Sequence, residues 1–291
     1  MPLWRAVILA IVQGLTELLP VSSSAHVIVT AKLLHENMST PANALLLVLL
    51  HTGTMFAVIV YFWRRWVSEF LSSWEHLLEF AKRAVVATLL SGLVGFPTIL
   101  LVERILGHGG SKAEIEALFD KLNWIAAALA LAGLLILYAG LREARQPENE
   151  RALGARLVRW TEAIVMGILQ GFAIPFRGFS RSGSTISGGL LAGGARAEIE
   201  SFSFAMAVII TPPAIARELW RVMRAAHHAA AGPSLSASLA PGLVGMVCAF
   251  VAGLLALRWL SRWLEAGRWY WFGIYCLAAS AAIACIYRLG F

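Results

Sequence analysis

The chain has 291 residues, 59% of them hydrophobic and only 14% charged, with a mean hydropathy of +0.72. Soluble domains carry roughly 25% charged residues, so these values exclude a soluble enzyme with one anchor and define a polytopic membrane protein. The net charge of +7 does not require nucleic acid as a partner, because the Lys and Arg of membrane proteins gather in cytoplasmic loops.

In chain order, residues 3–19 have a helical pattern but are short and polar for a span, with Gln13 and Glu17 one turn apart. No signal-peptide cleavage pattern follows, so residue 1 onward is expected in the mature protein. Pro20-Val21-Ser22-Ser23-Ser24 breaks the helix, and 25–34 is apolar again but too short for about 30 Å of hydrocarbon. Two half-length helices around a polar turn predict a re-entrant hairpin. Spans are predicted at about 42–62, 84–103 and 123–141, the second bent at Pro97. A polar linker, 142–160, follows. Then the plan recurs: a short segment at 161–176, a polar turn at Gly178–Thr185, a short segment at 186–194, and spans at about 201–222, 241–260 and 269–289. Thr211-Pro212-Pro213 should bend the first of these. The predicted fold is all-α and integral to the membrane. It has two repeats, 1–141 and 161–291, each a re-entrant hairpin plus three spans, joined by a cytoplasmic linker at 142–160. Local likeness supports the repeat, since Ile11-Val12-Gln13-Gly14-Leu15 resembles Ile168-Leu169-Gln170-Gly171-Phe172. An odd number of spans per half makes the halves inverted.

Basic residues orient the chain. With the N-terminus outside, twelve Lys and Arg fall in inner loops, among them Arg64, Arg65, Arg142, Arg151 and Arg156. Six fall in outer loops, including Arg104, Lys112 and Lys121. The bias places both termini outside. Trp63, Trp66, Trp269 and Trp271 near span ends read as an interfacial belt, and Cys248, Cys276 and Cys285 as small core residues.

Chemistry concentrates in the two turns. Gly178-Phe179-Ser180-Arg181-Ser182-Gly183-Ser184-Thr185 sets an arginine, hydroxyls and glycines inside membrane-grade sequence. Irregular backbone and charge at that depth are tolerated only around a polar cavity. Glycines allow close approach, the hydroxyls donate, arginine offers a planar fork, and a helix starting near Thr185 would turn its N-terminus to the same anion. These are the groups of an oxyanion cradle. Glu17 is an intramembrane carboxylate and so a functional candidate. Its expected partners are Arg181 or a divalent cation, Mg²⁺ or Ca²⁺, with Gln13 as a second candidate ligand. Ser22, Ser23 and His26 stand beside it as candidate nucleophile and acid–base groups. His51 reads as an interfacial or packing residue.

Gln13-Gly14-Leu15-Thr16-Glu17 with Pro20-Val21-Ser22-Ser23 and His26 resembles the first signature of the undecaprenyl-pyrophosphate phosphatases of the bacitracin-resistance type. Gly178-Phe179-Ser180-Arg181-Ser182 with Thr185 resembles the second. The resemblance covers nearly the whole chain. It implies hydrolysis of undecaprenyl pyrophosphate to undecaprenyl phosphate and inorganic phosphate. That reaction recycles the cell-wall lipid carrier at the outer face of the bacterial cytoplasmic membrane, with a divalent cation. By the same resemblance, Glu17 is the essential carboxylate, Ser23 and His26 the nucleophile or acid–base pair, and Arg181 the phosphate-binding arginine. Ser180, Ser182 and Thr185 are then expected around that phosphate, and Ser22 and Gly183 of the two turns are further candidates to bind it. Histidine is the better nucleophile at neutral pH, so His26 is the expected one. The chain departs from the pattern at Arg177, where proline is usual, at Ala25, where glycine is common, and at Gln13, which leaves that motif one carboxylate. The rival expectation is a polyprenyl-phosphate transporter that does not hydrolyse. Homo-oligomer formation stays open.

Overall fold

A computed structural model describes residues 1–38, 40–106, 122–145, 157–228 and 235–289. Among these residues there are ten helices and no strand. The first half contains α1 (Leu3–Leu18), α2 (Ser23–Leu33), α3 (Pro41–Glu69), α4 (Trp74–Leu106) and α5 (Leu122–Ala144). The second contains α6 (Trp160–Ala173), α7 (Arg181–Leu191), α8 (Arg196–His228), α9 (Leu235–Glu265) and α10 (Tyr270–Arg288). Six of them, α3, α4, α5, α8, α9 and α10, are long and apolar enough to cross a membrane. The protein is an integral membrane protein.

The boundaries have local causes. α1 stops because Leu19 precedes Pro20 and is extended (φ −73°, ψ 151°), as a residue before proline prefers. Thr40 caps α3, its hydroxyl accepting from the Asn43 amide at 3.3 Å, with Pro41 in the first turn. Ser180 caps α7 by accepting from the Gly183 amide at 3.2 Å. That cap starts α7 four residues earlier than the apolar pattern implies, so Arg181 and Ser182 belong to its first turn. At 16, 11, 14 and 11 residues, α1, α2, α6 and α7 reach roughly 24, 17, 21 and 17 Å at 1.5 Å per residue. None matches the hydrocarbon thickness. α4 and α8 stay helical through Pro97 and through Pro212-Pro213.

Three expectations need correction. α5 continues through Ala144, three residues into the supposed linker; Glu143 is buried there because it pairs with Arg196 at the start of α8. Residues 146–156 of the linker, with Arg151 and Arg156, lie outside the described residues, as do Lys112 and Lys121. Trp269 is not an interfacial residue: it is fully buried, and its indole N–H donates to Ser187 at 3.0 Å. Of the cysteines only Cys276 is core, while Cys248 is half-buried and Cys285 exposed.

The short helices pack across the halves: α1 lies against α9, and α6 against α4. α5 pairs with α10, and α3 with both α8 and α9. Glycines set the spacing. A Cβ on Gly14 would stand 2.6 Å from the Ala249 carbonyl oxygen, and one on Gly167 2.6 Å from that of Ala87. A Cβ on Gly53 would meet the Met246 carbonyl oxygen at 2.3 Å, whereas around Gly92 nothing lies within 4 Å. Gly53→Ala must therefore push α3 off α9, and we expect it to cost about 1–3 kcal/mol, the usual price of overpacking. Gly92→Ala should be neutral or stabilise by up to about 1 kcal/mol through helix propensity. Thermal unfolding of the two variants in detergent checks this; equal melting temperatures would refute the packing account.

Candidate active site

The two polar turns meet. The Gly178 amide donates to Ser24 Oγ at 3.3 Å, and the Ser182 hydroxyl donates to the Leu19 carbonyl at 3.4 Å. Gly178 has φ +103°, and a Cβ there would stand 2.5 Å from the Ile125 carbonyl oxygen, so only glycine fits. Ser22, which precedes α2, takes the left-handed region with φ 67°. A non-glycine residue there costs of order 1 kcal/mol and needs its surroundings to hold it.

Glu17, at the end of α1, is the centre. Its Oε2 accepts from Gln13 Nε2 at 3.1 Å and from the Ser23 hydroxyl in a very short hydrogen bond. Its Oε1 lies 3.6 Å from Arg181 Nη2, and His51 Nε2 stands 3.8 Å from Oε2. Arg181 keeps Nη1 buried without a hydrogen-bond partner. A buried donor left unmade costs about 1–3 kcal/mol or more, so it marks where an acceptor belongs. The cleft beside this pair runs between α3 and α8, with Thr54 and Thr211 adding hydroxyls and Met55, Val58 and Val208 an apolar wall.

The predicted residues divide. Glu17, Gln13, Ser23 and Arg181 come together. Ser22, Ser180 and Ser182 lie behind them, buried, in the turns. Gly183 caps onto Ser180, and Thr185 is buried one turn on, bonded to Ser203 at 2.6 Å and to the Arg181 carbonyl at 2.9 Å. His26 turns away from the cleft. Its Nδ1 faces the Ser22 carbonyl at 2.8 Å and its Nε2 the Tyr275 hydroxyl at 2.8 Å. A carbonyl only accepts, so Nδ1 carries the proton and Nε2 accepts from Tyr275. The ring thus braces the strained Ser22.

His51 corrects the sequence reading, for it lines the cleft rather than serving as packing at the membrane interface. Its Nδ1 likewise donates to a carbonyl, that of Leu47 at 2.8 Å, which turns Nε2 to the cleft. The signal was present in His51-Thr52-Gly53-Thr54, the polar stretch of an otherwise apolar span. For Thr211 and Tyr275 the sequence offered no comparable mark.

A resident divalent cation does not fit these donors. Mg²⁺ asks for about six oxygens in near-octahedral array, and among the described residues Glu17 is the one carboxylate lining the cleft. Among the described residues no three His, Cys, Asp or Glu side chains come together around a point that would hold a metal. Gln13 turns its amide nitrogen to Glu17. A dication about 4 Å from both Glu17 and Arg181 would find the attraction of the carboxylate offset by a repulsion of similar size from the guanidinium, about 8 kcal/mol each at an effective dielectric of 20.

A carboxylate, a guanidinium with a spare donor and a hydroxyl are held together by the short helices of a polytopic membrane protein, a donor set suited to an oxyanion. The chain belongs to the bacitracin resistance protein BacA family, whose profile matches residues 6–282. It is 46% identical over 286 residues to undecaprenyl-diphosphatase 2 of Acinetobacter baylyi, covering 97% of each chain. It is 31% identical to the undecaprenyl-diphosphatase of Parabacteroides distasonis, again over 97% of each. To that of an Anaeromyxobacter species it is 34% identical, over 98% of this chain and 88% of the relative.

Proposed function

We propose that this protein hydrolyses undecaprenyl pyrophosphate to undecaprenyl phosphate and inorganic phosphate, recycling the lipid carrier of cell-wall synthesis. The observation that carries the reading is the Glu17–Ser23 hydrogen bond beside the unpartnered Arg181 Nη1: a hydroxyl with a base on it, next to a phosphate-shaped donor. Ser23 Oγ attacks the terminal phosphorus and passes its proton to Glu17. The bond from phosphorus to the bridging oxygen breaks, and undecaprenyl phosphate leaves with the electron pair. Water then attacks the phosphorus of the phosphoserine, and the P–Oγ bond breaks. Inorganic phosphate leaves with the water's oxygen and protons, and Ser23 Oγ recovers its proton from Glu17. Arg181 and the α7 N-terminus stabilise the charge on the transferring group, the main task of such catalysis. Met55, Val58 and Val208 offer the tail an apolar path into the membrane. A divalent cation, Mg²⁺ or Ca²⁺, belongs to the proposed reaction, and each proton and bond movement is carried by the chain's own groups.

The architecture we infer has two inverted repeats, 1–141 and 161–291, joined by 142–160. Each opens with a re-entrant hairpin, α1–α2 and α6–α7. The half-length of these four helices supports it, as does the exchange in which α1 packs on α9 and α6 on α4. The active site then faces the outer side of the bacterial cytoplasmic membrane.

Phosphate release from a polyprenyl pyrophosphate by the purified protein tests the function and separates it from the rival, a polyprenyl-phosphate transporter without hydrolysis. Wild type should turn over. Ser23→Ala should lose at least about 100-fold and form no phosphoenzyme in rapid quench, whereas His26→Ala should still form it. A covalent species that vanishes only with His26→Ala would make histidine the nucleophile instead.

Orientation has its own check. In a variant lacking Cys248, Cys276 and Cys285, a cysteine at Ser236 should react with an impermeant reagent in intact spheroplasts. One at Asn149, outside the described residues, should react only after lysis. The reverse pattern would turn the protein over in the membrane.

A further inference from the structure

Glu17 already has its counter-ions. Oε1 faces Arg181 and Oε2 is taken by Gln13, Ser23 and, at 3.8 Å, His51. Every group directed at the carboxylate is a donor or a cation. Among the described residues, the charged side chains lining the cleft, Glu17 and Arg181, cancel. Such a pocket has nothing to concentrate a free dication, yet its Arg181 Nη1 is buried with no hydrogen-bond acceptor. A diphosphate reverses the balance: it brings several negative charges and its own oxygen ligands, the way Mg²⁺ usually meets a protein.

We infer that the protein holds no resident divalent cation and takes it up only as the metal–diphosphate complex, so that the metal is delivered with the substrate. The inference rests on the diphosphate reading of the site. Arg181 and His51 would then bind phosphoryl oxygens of that complex, and the diphosphate would supply the metal's ligands. The position of Gln13 decides the matter in this chain, since a carboxylate there would set a second negative charge one helical turn from the first, and both could share a cation. Thr54 and Thr211 have their hydroxyl protons committed to the carbonyls of His51 and Ala207. They offer neutral lone pairs, which complement a metal already carrying phosphate but do not capture one alone.

The test is a Mn²⁺ titration of the purified full-length protein in detergent, read as loss of the free-ion electron paramagnetic resonance signal. It is run without and with methylenediphosphonate, a diphosphate that cannot be hydrolysed. Wild type should retain less than a tenth of an equivalent of Mn²⁺ at 100 μM free ion alone. With the diphosphonate it should retain about one equivalent, after correction for complex in solution, and Arg181→Ala should abolish that gain. Gln13→Glu should bind Mn²⁺ without any diphosphonate, at least about tenfold more tightly than wild type. Stoichiometric binding to wild type alone, lost in Glu17→Gln, would overturn the inference. So would no binding under either condition, or a Gln13→Glu protein as empty as wild type. Parallel phosphate-release assays separate the two claims: hydrolysis with a resident Mn²⁺ defeats only this inference, and no hydrolysis defeats the diphosphatase reading itself.

Discussion

Glu17→Gln should lower phosphate release by at least about 100-fold while leaving the helical content intact. The amide keeps the shape of the side chain but cannot take the Ser23 proton, and general base catalysis is worth about 10²–10⁴-fold. It also faces Gln13 Nε2 with a group that is half donor, and it strips Arg181 of its ionic partner in the cleft. The stability cost should stay well below the 3–5 kcal/mol of a fully buried broken pair, because both side chains are about one-fifth exposed. Turnover in detergent, with melting temperature and circular dichroism on the same samples, gives the answer. Near-normal turnover would remove Glu17 from the chemistry.

The second large effect separates two arginines four residues apart. Arg181→Lys should lower kcat by about 10²–10³-fold, the usual loss when one preorganised donor at a developing charge is removed. An ammonium cannot both face Glu17 Oε1 and present the second donor that Nη1 supplies. Arg177 is exposed and sits in a turn in which the Phe179 amide donates to the Phe176 carbonyl at 3.1 Å. Arg177 is the second residue of that turn, and Gly178, with φ +103°, the third. A type II turn favours proline followed by glycine at these two places, so Arg177→Pro should fold and turn over like wild type. Assays of both variants, normalised to folded protein, decide. A dead Arg177→Pro beside an active Arg181→Lys would show that the phosphate-binding role belongs to the wrong arginine here.

The six long apolar helices were legible in the sequence because nothing but a spanning helix satisfies twenty apolar residues. So was the meeting of Glu17 with Arg181, since each would be costly at membrane depth without a partner. What was not legible depended on which way a ring turns. His26 stood beside the serines in sequence, yet a carbonyl and Tyr275, 249 positions away, hold both of its nitrogens. His51 lay in a visibly polar stretch of its span, but the packing of α3 against α1 that brings it 3.8 Å from Glu17 was not readable from that stretch. Trp269 stood at a predicted span end, where tryptophan usually meets headgroups, but a hydroxyl from α7 inside the bundle draws it in. The early start of α7 came from one cap, Ser180, which apolar periodicity does not register.

The packing of α1 on α9 sets a timetable for biosynthesis. The surface that receives Gly14 is around Ala249, about 235 residues later in the chain. At roughly 5–20 residues per second, the ribosome needs about 10–50 s to make it after Gly14 has emerged. Through that interval α1 keeps its glycine face uncovered, and Glu17 lacks Arg181 for the first 164 residues' worth of synthesis, about 8–33 s at the same rate. The Glu17–Arg181 pair thus forms only after more than half of the chain is made, and a chain released before residue 181 exposes a lone carboxylate at membrane depth, where it is costly.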